Sequence, residues 1–192
     1  MRDRHSLRRP ARVALAALLS LSALASCSSI APGELNAGTQ YGIGTPLTDQ
    51  DLAAWNIDIA PDGRGLPAGS GDVATGAHLF AAKCAACHGA RGEGGLGDQL
   101  IGGLGTLTSA KPQRTVGSYW PYATTLFDYI RRAMPYNAPE SLSADEVYAV
   151  SAFLLNQNGI VPANTRLDAA TLPRVVMPNR HGFVADPRPG RL

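Results

Sequence analysis

The stretch Cys84-Ala85-Ala86-Cys87-His88 constrains this chain more than any other. Two thiols separated by two residues sit on one turn of backbone, and an imidazole follows the second directly. From one turn the thiols can add to the two vinyl groups on one edge of a porphyrin, while the histidine swings under the iron as an axial ligand. C-x-x-C-H is the attachment pattern for haem c. A thioredoxin-type redox pair asks for a βαβ context, and a structural zinc site asks for two more thiols or imidazoles close by. The third cysteine of the chain, Cys27, lies far upstream. The motif predicts one covalent haem c on Cys84 and Cys87, with His88 on the iron.

The formal charge of +2 misleads, because residues 1–26 carry five arginines against one aspartate, a net +4, and leave −2 for residues 27–192. The chain as a whole is therefore no candidate for nucleic acid. Its basic start runs into the apolar stretch Val13 to Ala25, too short to span a bilayer, and ends Leu24-Ala25-Ser26-Cys27. Small residues before a cysteine resemble the bacterial lipobox, so residues 1–26 read as a lipoprotein signal peptide and Cys27 as the lipidated new N-terminus. The expected place is the periplasmic side of a bacterial membrane, anchored by lipid. All three cysteines are then accounted for, one by lipid and two by haem, without a disulfide.

Residues 27–44 are small and polar, a tether, and 45–70 form an N-terminal arm. Thr48 can cap a helical turn with acids in its first turn, Pro61-Asp62-Gly63 has turn residues, and Trp55 and Leu66 are expected to pack onto the domain. A helix is predicted from about Asp72 to Lys83, with Ala77, Phe80 and Ala81 at helical spacing; His78 points off the face of Gly76 and Phe80. Residues 89–118 are glycine-rich. Gly92-Glu93-Gly94-Gly95-Leu96-Gly97 matches a nucleotide-binding spacing but lacks the preceding strand and following helix that such a loop needs. It reads instead as a loop under the porphyrin, one of whose carbonyls accepts the Nδ1–H of His88.

Thr124 to Ala133 is predicted as an amphipathic helix, with Leu126, Phe127, Ile130 and Ala133 on one face and Asp128 able to pair with Arg131 or Arg132. Proline stops it at Met134-Pro135. Ser143-Ala144-Asp145-Glu146 is a capping box opening a last helix over about 144–157, with Val147, Val150, Phe153 and Leu154 buried. From residue 159 to 192 a proline-studded tail is expected to run extended over the domain.

The order helix, CAACH, loop, helix, Met-Pro, helix over residues 71–158 resembles a mono-haem class I cytochrome c. The resemblance implies an all-α fold, here with extended N- and C-terminal arms. It also implies that Gly76 and Phe80 pack at the crossing of the first and last helices, opposite Val150 and Phe153. Met134, 46 residues after His88, stands where the family places its sixth iron ligand; Met177-Pro178 is a rival dipeptide, beyond the last helix. Arg91, Arg131 and Arg132 are candidates for haem propionates or a partner surface.

A narrower resemblance extends over residues 41–185. The runs around Trp55-Asn56-Ile57-Asp58-Ile59, Gly63-Arg64-Gly65-Leu66-Pro67, Thr115 to Ala123 and Arg132 to Pro139 are similar to the cytochrome subunits of bacterial sulfite dehydrogenases and the SoxD-type subunit of sulfane dehydrogenase. That family implies a non-catalytic electron-transfer subunit of an oxidoreductase complex. Its electrons come from a molybdenum-cofactor dehydrogenase subunit and leave to a downstream cytochrome or oxidase. The chain departs from SoxD itself in having one C-x-x-C-H and a lipoprotein start. The alternatives are a lipid-anchored carrier unrelated to sulfur oxidation, and a haem peroxidase-like enzyme, which needs an open iron position.

Overall fold

The structure, a computed structural model, describes residues 44–185. The chain divides into two units, residues 1–47 and 48–192. Of the first, only 44–47 are described, so Cys27 and most of the stretch expected to be a signal and tether lie outside the described residues. Every helix and strand among the described residues belongs to the second unit.

Helix α1 (Asp49–Leu52) is a single turn opened by a reciprocal Thr48–Asp51 capping box. Strand β1 (Ser70–Asp72) leads directly into α2 (Val73–Lys83), whose first turn is capped by the Asp72 carboxylate accepting from the Thr75 N–H at 2.8 Å. A second short turn, α3 (Ala85–His88), follows at once. The long loop then reaches α4 (Ala123–Ala133), and α5 (Ala144–Gln157) closes the helical set behind the predicted Ser143–Glu146 box. Both halves of that box form: the Ser143 hydroxyl accepts from the Glu146 N–H, and the Glu146 carboxylate accepts from the Ser143 N–H at 2.8 Å.

The frame is the crossing of α2 and α5. Gly76 touches the other backbone so closely that a Cβ there would stand 1.9 Å from the Ala149 carbonyl oxygen. Phe80 packs on Phe153 with ring centroids 5.1 Å apart. The buried face of α2 is Val73, Gly76 and Phe80; Ala81, expected on that face, is exposed. Helix α4 lays Leu126, Phe127 and Ile130 onto the same core, with Phe127 and Tyr148 at 4.4 Å. Helices dominate, as the class I cytochrome c resemblance implies.

Both flanks are fastened to this frame. In the tail, β2 (Arg166–Asp168) pairs antiparallel with β1, Ser70 opposite Asp168 and Asp72 opposite Arg166. Arg166 also donates to Ser70 Oγ at 2.8 Å. A 3₁₀ turn (Leu172–Arg174) buries Leu172, and Met177 is 1% exposed within the core. The tail thus carries a strand and a turn in place of a plainly extended course. In the arm, Ile59 is buried, Leu66 packs against the core, and the Tyr148 hydroxyl donates to the Pro67 carbonyl at 2.9 Å. Trp55 corrects the expectation: it is 83% exposed. Its N–H and that of Asn56 bond back to Leu52, closing the chain on α1 and leaving the indole outside. Among the described residues no helix is long and apolar enough to cross a membrane.

Candidate functional site

The CAACH turn is built by interrupting a helix. The Cys84 N–H still bonds to Phe80 at 2.9 Å, but its φ of −120° ends α2. Its carbonyl then accepts from the N–H groups of Cys87 (3.1 Å) and His88 (3.0 Å), winding α3. Both thiols and the imidazole therefore leave one compact turn. Cys84 is half-buried and Cys87 exposed. Burial pushes the Cys84 thiol above its ordinary pKa, against the opposing pull of the Lys83 ammonium. A half-buried thiol whose pKa is raised is a weaker thiolate ligand or redox nucleophile than a free one. Among the described residues no three His, Cys, Asp or Glu side chains converge as a metal cage.

His88 is oriented by the loop. Its Nδ1 lies 2.7 Å from the Asp98 carbonyl oxygen. A carbonyl can only accept, so Nδ1 carries the proton and Nε2 presents its lone pair. Among the described residues nothing hydrogen-bonds Nε2. The loop is pinned to the CAACH turn by main-chain bonds from Gly94 to the His88 carbonyl and from Gly97 to the Cys87 carbonyl, each 2.8 Å. This brings Gly97 flat against the ring: a Cβ there would sit 2.9 Å from Cε1 and 3.0 Å from Nδ1. Farther along, Asn158 ties the loop to the end of α5, accepting from the Gly102 N–H and donating to the Leu100 carbonyl.

Met134 ends α4. Its N–H makes the last helical bond to Ile130, and its own backbone is extended, φ −123° and ψ 145°, as a residue before proline must be. The side chain is half-buried against the core. Met177, the rival, is enclosed in the core, and His78 is exposed. Arg131 and Arg132 face the arm: Arg132 pairs with Asp128 and reaches Asp58 at 3.5 Å, and Arg131 donates to the Ile57 carbonyl at 3.5 Å. The Asp128 hydrogen bond holds the Arg132 guanidinium pKa above its already high ordinary value. Arg91 remains exposed. Clefts of about 240 and 290 Å³ lie along the arm, lined by residues such as Ile57 and Arg131 in one and Asp58 and Arg64 in the other, away from the CAACH turn.

These residues fit haem c. Two thiols share one turn, an imidazole has its outer nitrogen free, a glycine lies on the ring where a side chain would collide, and a thioether stands half-buried at a helix end. The sequence did not identify Asp98, Gly97 or Asn158. A carbonyl acceptor and a loop path leave no side-chain signature.

The helix crossing and this donor set define a class I cytochrome c. Residues 71–154 match the family described as cytochrome c oxidase, cbb3-type, subunit III. A chain of the crystal structure of the sulfane dehydrogenase SoxCD from Paracoccus pantotrophus is 46% identical, over 77% of this chain and 73% of that one, with a TM-score of 0.73. Among curated proteins none matches. The protein belongs to the cytochrome c family, an electron-transfer family whose domain implies haem c.

Proposed function

We propose that this protein is the cytochrome subunit of a molybdenum-dependent sulfite or sulfane dehydrogenase. It accepts electrons from the molybdenum-cofactor subunit and passes them to a downstream cytochrome or oxidase. The observation that carries the reading is the 46% identity to a chain of a sulfane dehydrogenase, over a stretch long enough to take in flanking chain as well as the helical domain.

Haem c, when bound, supplies a one-electron ferric/ferrous couple. Cys84 and Cys87 would hold one haem by thioether bonds and keep it on the chain. His88 would ligate through Nε2, with the Asp98 carbonyl fixing the tautomer and orienting the ring. Met134 would be the sixth ligand, whose soft thioether would favour the ferrous state and raise the potential. Iron held by both His88 and Met134 would have no ready place for an exchangeable substrate, which would separate a carrier from a peroxidase-like enzyme. Cys27 bears the lipid that holds the protein at the periplasmic face of the membrane.

The test uses the haem-bearing complex isolated from native membranes. Molybdenum is quantified, and haem reduction is followed after sulfite or thiosulfate is added. Stoichiometric molybdenum with rapid, substrate-dependent reduction supports the assignment. A molybdenum-free protein reduced only by other cytochromes or small donors sinks the partner and leaves a general lipoprotein carrier.

A further inference from the structure

The arm lies along one face of α4, the helix that ends in Met134. The Thr124 hydroxyl donates to the Pro61 carbonyl at 3.2 Å, Asp128 Oδ1 accepts from the Ile59 N–H at 3.2 Å, and Arg131 donates to the Ile57 carbonyl. Arg132 bridges Asp128 and Asp58. Positions 124, 128, 131 and 132 share one side of a helix, while Leu126, Phe127 and Ile130 enter the core. Helix α4 is therefore gripped on two sides.

The parts of this grip are unequal. The Arg132 and Asp58 side chains are 44% and 79% exposed, so their pair contributes little. The Asp128 side chain is 11% exposed, and its partner, the Ile59 N–H, is on a buried residue. A buried carboxylate with a main-chain donor on one oxygen and a guanidinium on the other is the strong element. It falls in the last two turns of α4, where helices fray.

We propose that Asp128, with Arg132, is a positioning pair: it locks the end of α4 to the arm and so holds the Met134 thioether at the iron. This rests on the assignment of Met134 as sixth ligand. The arm then acts on the haem without touching it, setting how readily Met134 yields its place to an outside ligand.

The experiment measures the affinity of the ferric holoprotein for imidazole, followed through loss of the charge-transfer band of methionine-ligated haem. Asp128→Asn keeps the shape but turns an amide N–H toward Arg132. It is expected to raise imidazole affinity by about tenfold, since a weaker hold on the Met134-ligated arrangement is read directly as easier ligand exchange. Arg132→Gln, an exposed change that leaves the fold intact, is expected to raise it severalfold. Leu167→Ala, in β2, is the control: a comparable loss of denaturation midpoint with imidazole affinity unchanged. If Asp128→Asn and Arg132→Gln behave as Leu167→Ala does, the pair is merely structural and the proposal is overturned while Met134 stands. If the wild-type band is absent, the ligand assignment falls and the proposal with it.

Discussion

The imidazole Nδ1 of His88 and the carbonyl oxygen of Asp98 lie 2.7 Å apart, with Gly97 between them in sequence and pressed on the ring. One loop thus decides the tautomer and the tilt of the histidine. Gly97→Ala places a methyl about 3 Å from two ring atoms. The ring must turn away from Asp98, at an overpacking cost of about 1–3 kcal/mol. Lower holoprotein yield and a shifted midpoint potential are expected in redox titration; an unchanged potential would contradict the role given to this loop.

Met134 and Met177 predict opposite phenotypes. With Met134 as the proposed sixth ligand, Met134→Ala is expected to open that position, so that carbon monoxide and cyanide bind rapidly and weak peroxidase activity emerges. Met177→Ala empties a core site and costs about 2–5 kcal/mol in denaturant unfolding, with the spectrum unaltered. A reversal of the two results would move the ligand to residue 177.

The helix crossing tolerates no side chain at residue 76. Gly76→Ala sets a methyl 1.9 Å from the Ala149 oxygen. The helices must part, with a loss of about 3 kcal/mol or more as an overpacked core shifts. Thermal unfolding of the purified variant measures it, and a midpoint within a degree or two of wild type would refute the packing described.

Among the described residues, Ser151 Oγ is the buried side-chain polar atom that lacks a hydrogen-bond partner. Removing such a hydroxyl relieves a desolvation penalty of roughly 1–3 kcal/mol. Ser151→Ala is expected to be neutral or stabilising in urea unfolding; a marked destabilisation would mean the hydroxyl has a partner.

Tyr148 adds a pH dependence. Burial, and secondarily the Asp168 carboxylate, push its phenol up from 10 to about 12. The folded state holds this proton more tightly than the unfolded chain does. The contribution is therefore complete below pH 10 and is lost as pH rises from 10 toward 12. Tyr148→Phe should flatten the stability profile in that window and lose about 1 kcal/mol below it, with the bond to Pro67. Parallel alkaline slopes in both proteins would contradict it.

Local chemistry made much of this architecture legible in advance. The caps at Thr48 and Ser143 depend on side chains within three residues, and Met134 ends α4 because proline follows. The Asp128–Arg132 pair is a one-turn spacing on a helix. What escaped depends on the path of the chain. Ser70–Asp72 and Arg166–Asp168 are three-residue strands nearly a hundred residues apart, too short to show alternation. Trp55 reads as core by composition, yet α1 turns it outward. Asp98 acts through its backbone, so its side chain gives no hint of the contact with His88. Cys27, the proposed lipidation site, lies outside the described residues, as does the stretch read as its signal.

The proposed function requires a single covalent haem held by the CAACH turn, with Met134 as its sixth ligand. The most direct measurement is an intact mass of the mature protein under denaturing conditions, paired with the ferric absorption spectrum of the native form. One haem that stays with the polypeptide is expected, with a methionine charge-transfer band that Met134→Ala abolishes. Haem that separates from the chain, or a native ferric spectrum without that band, would contradict it.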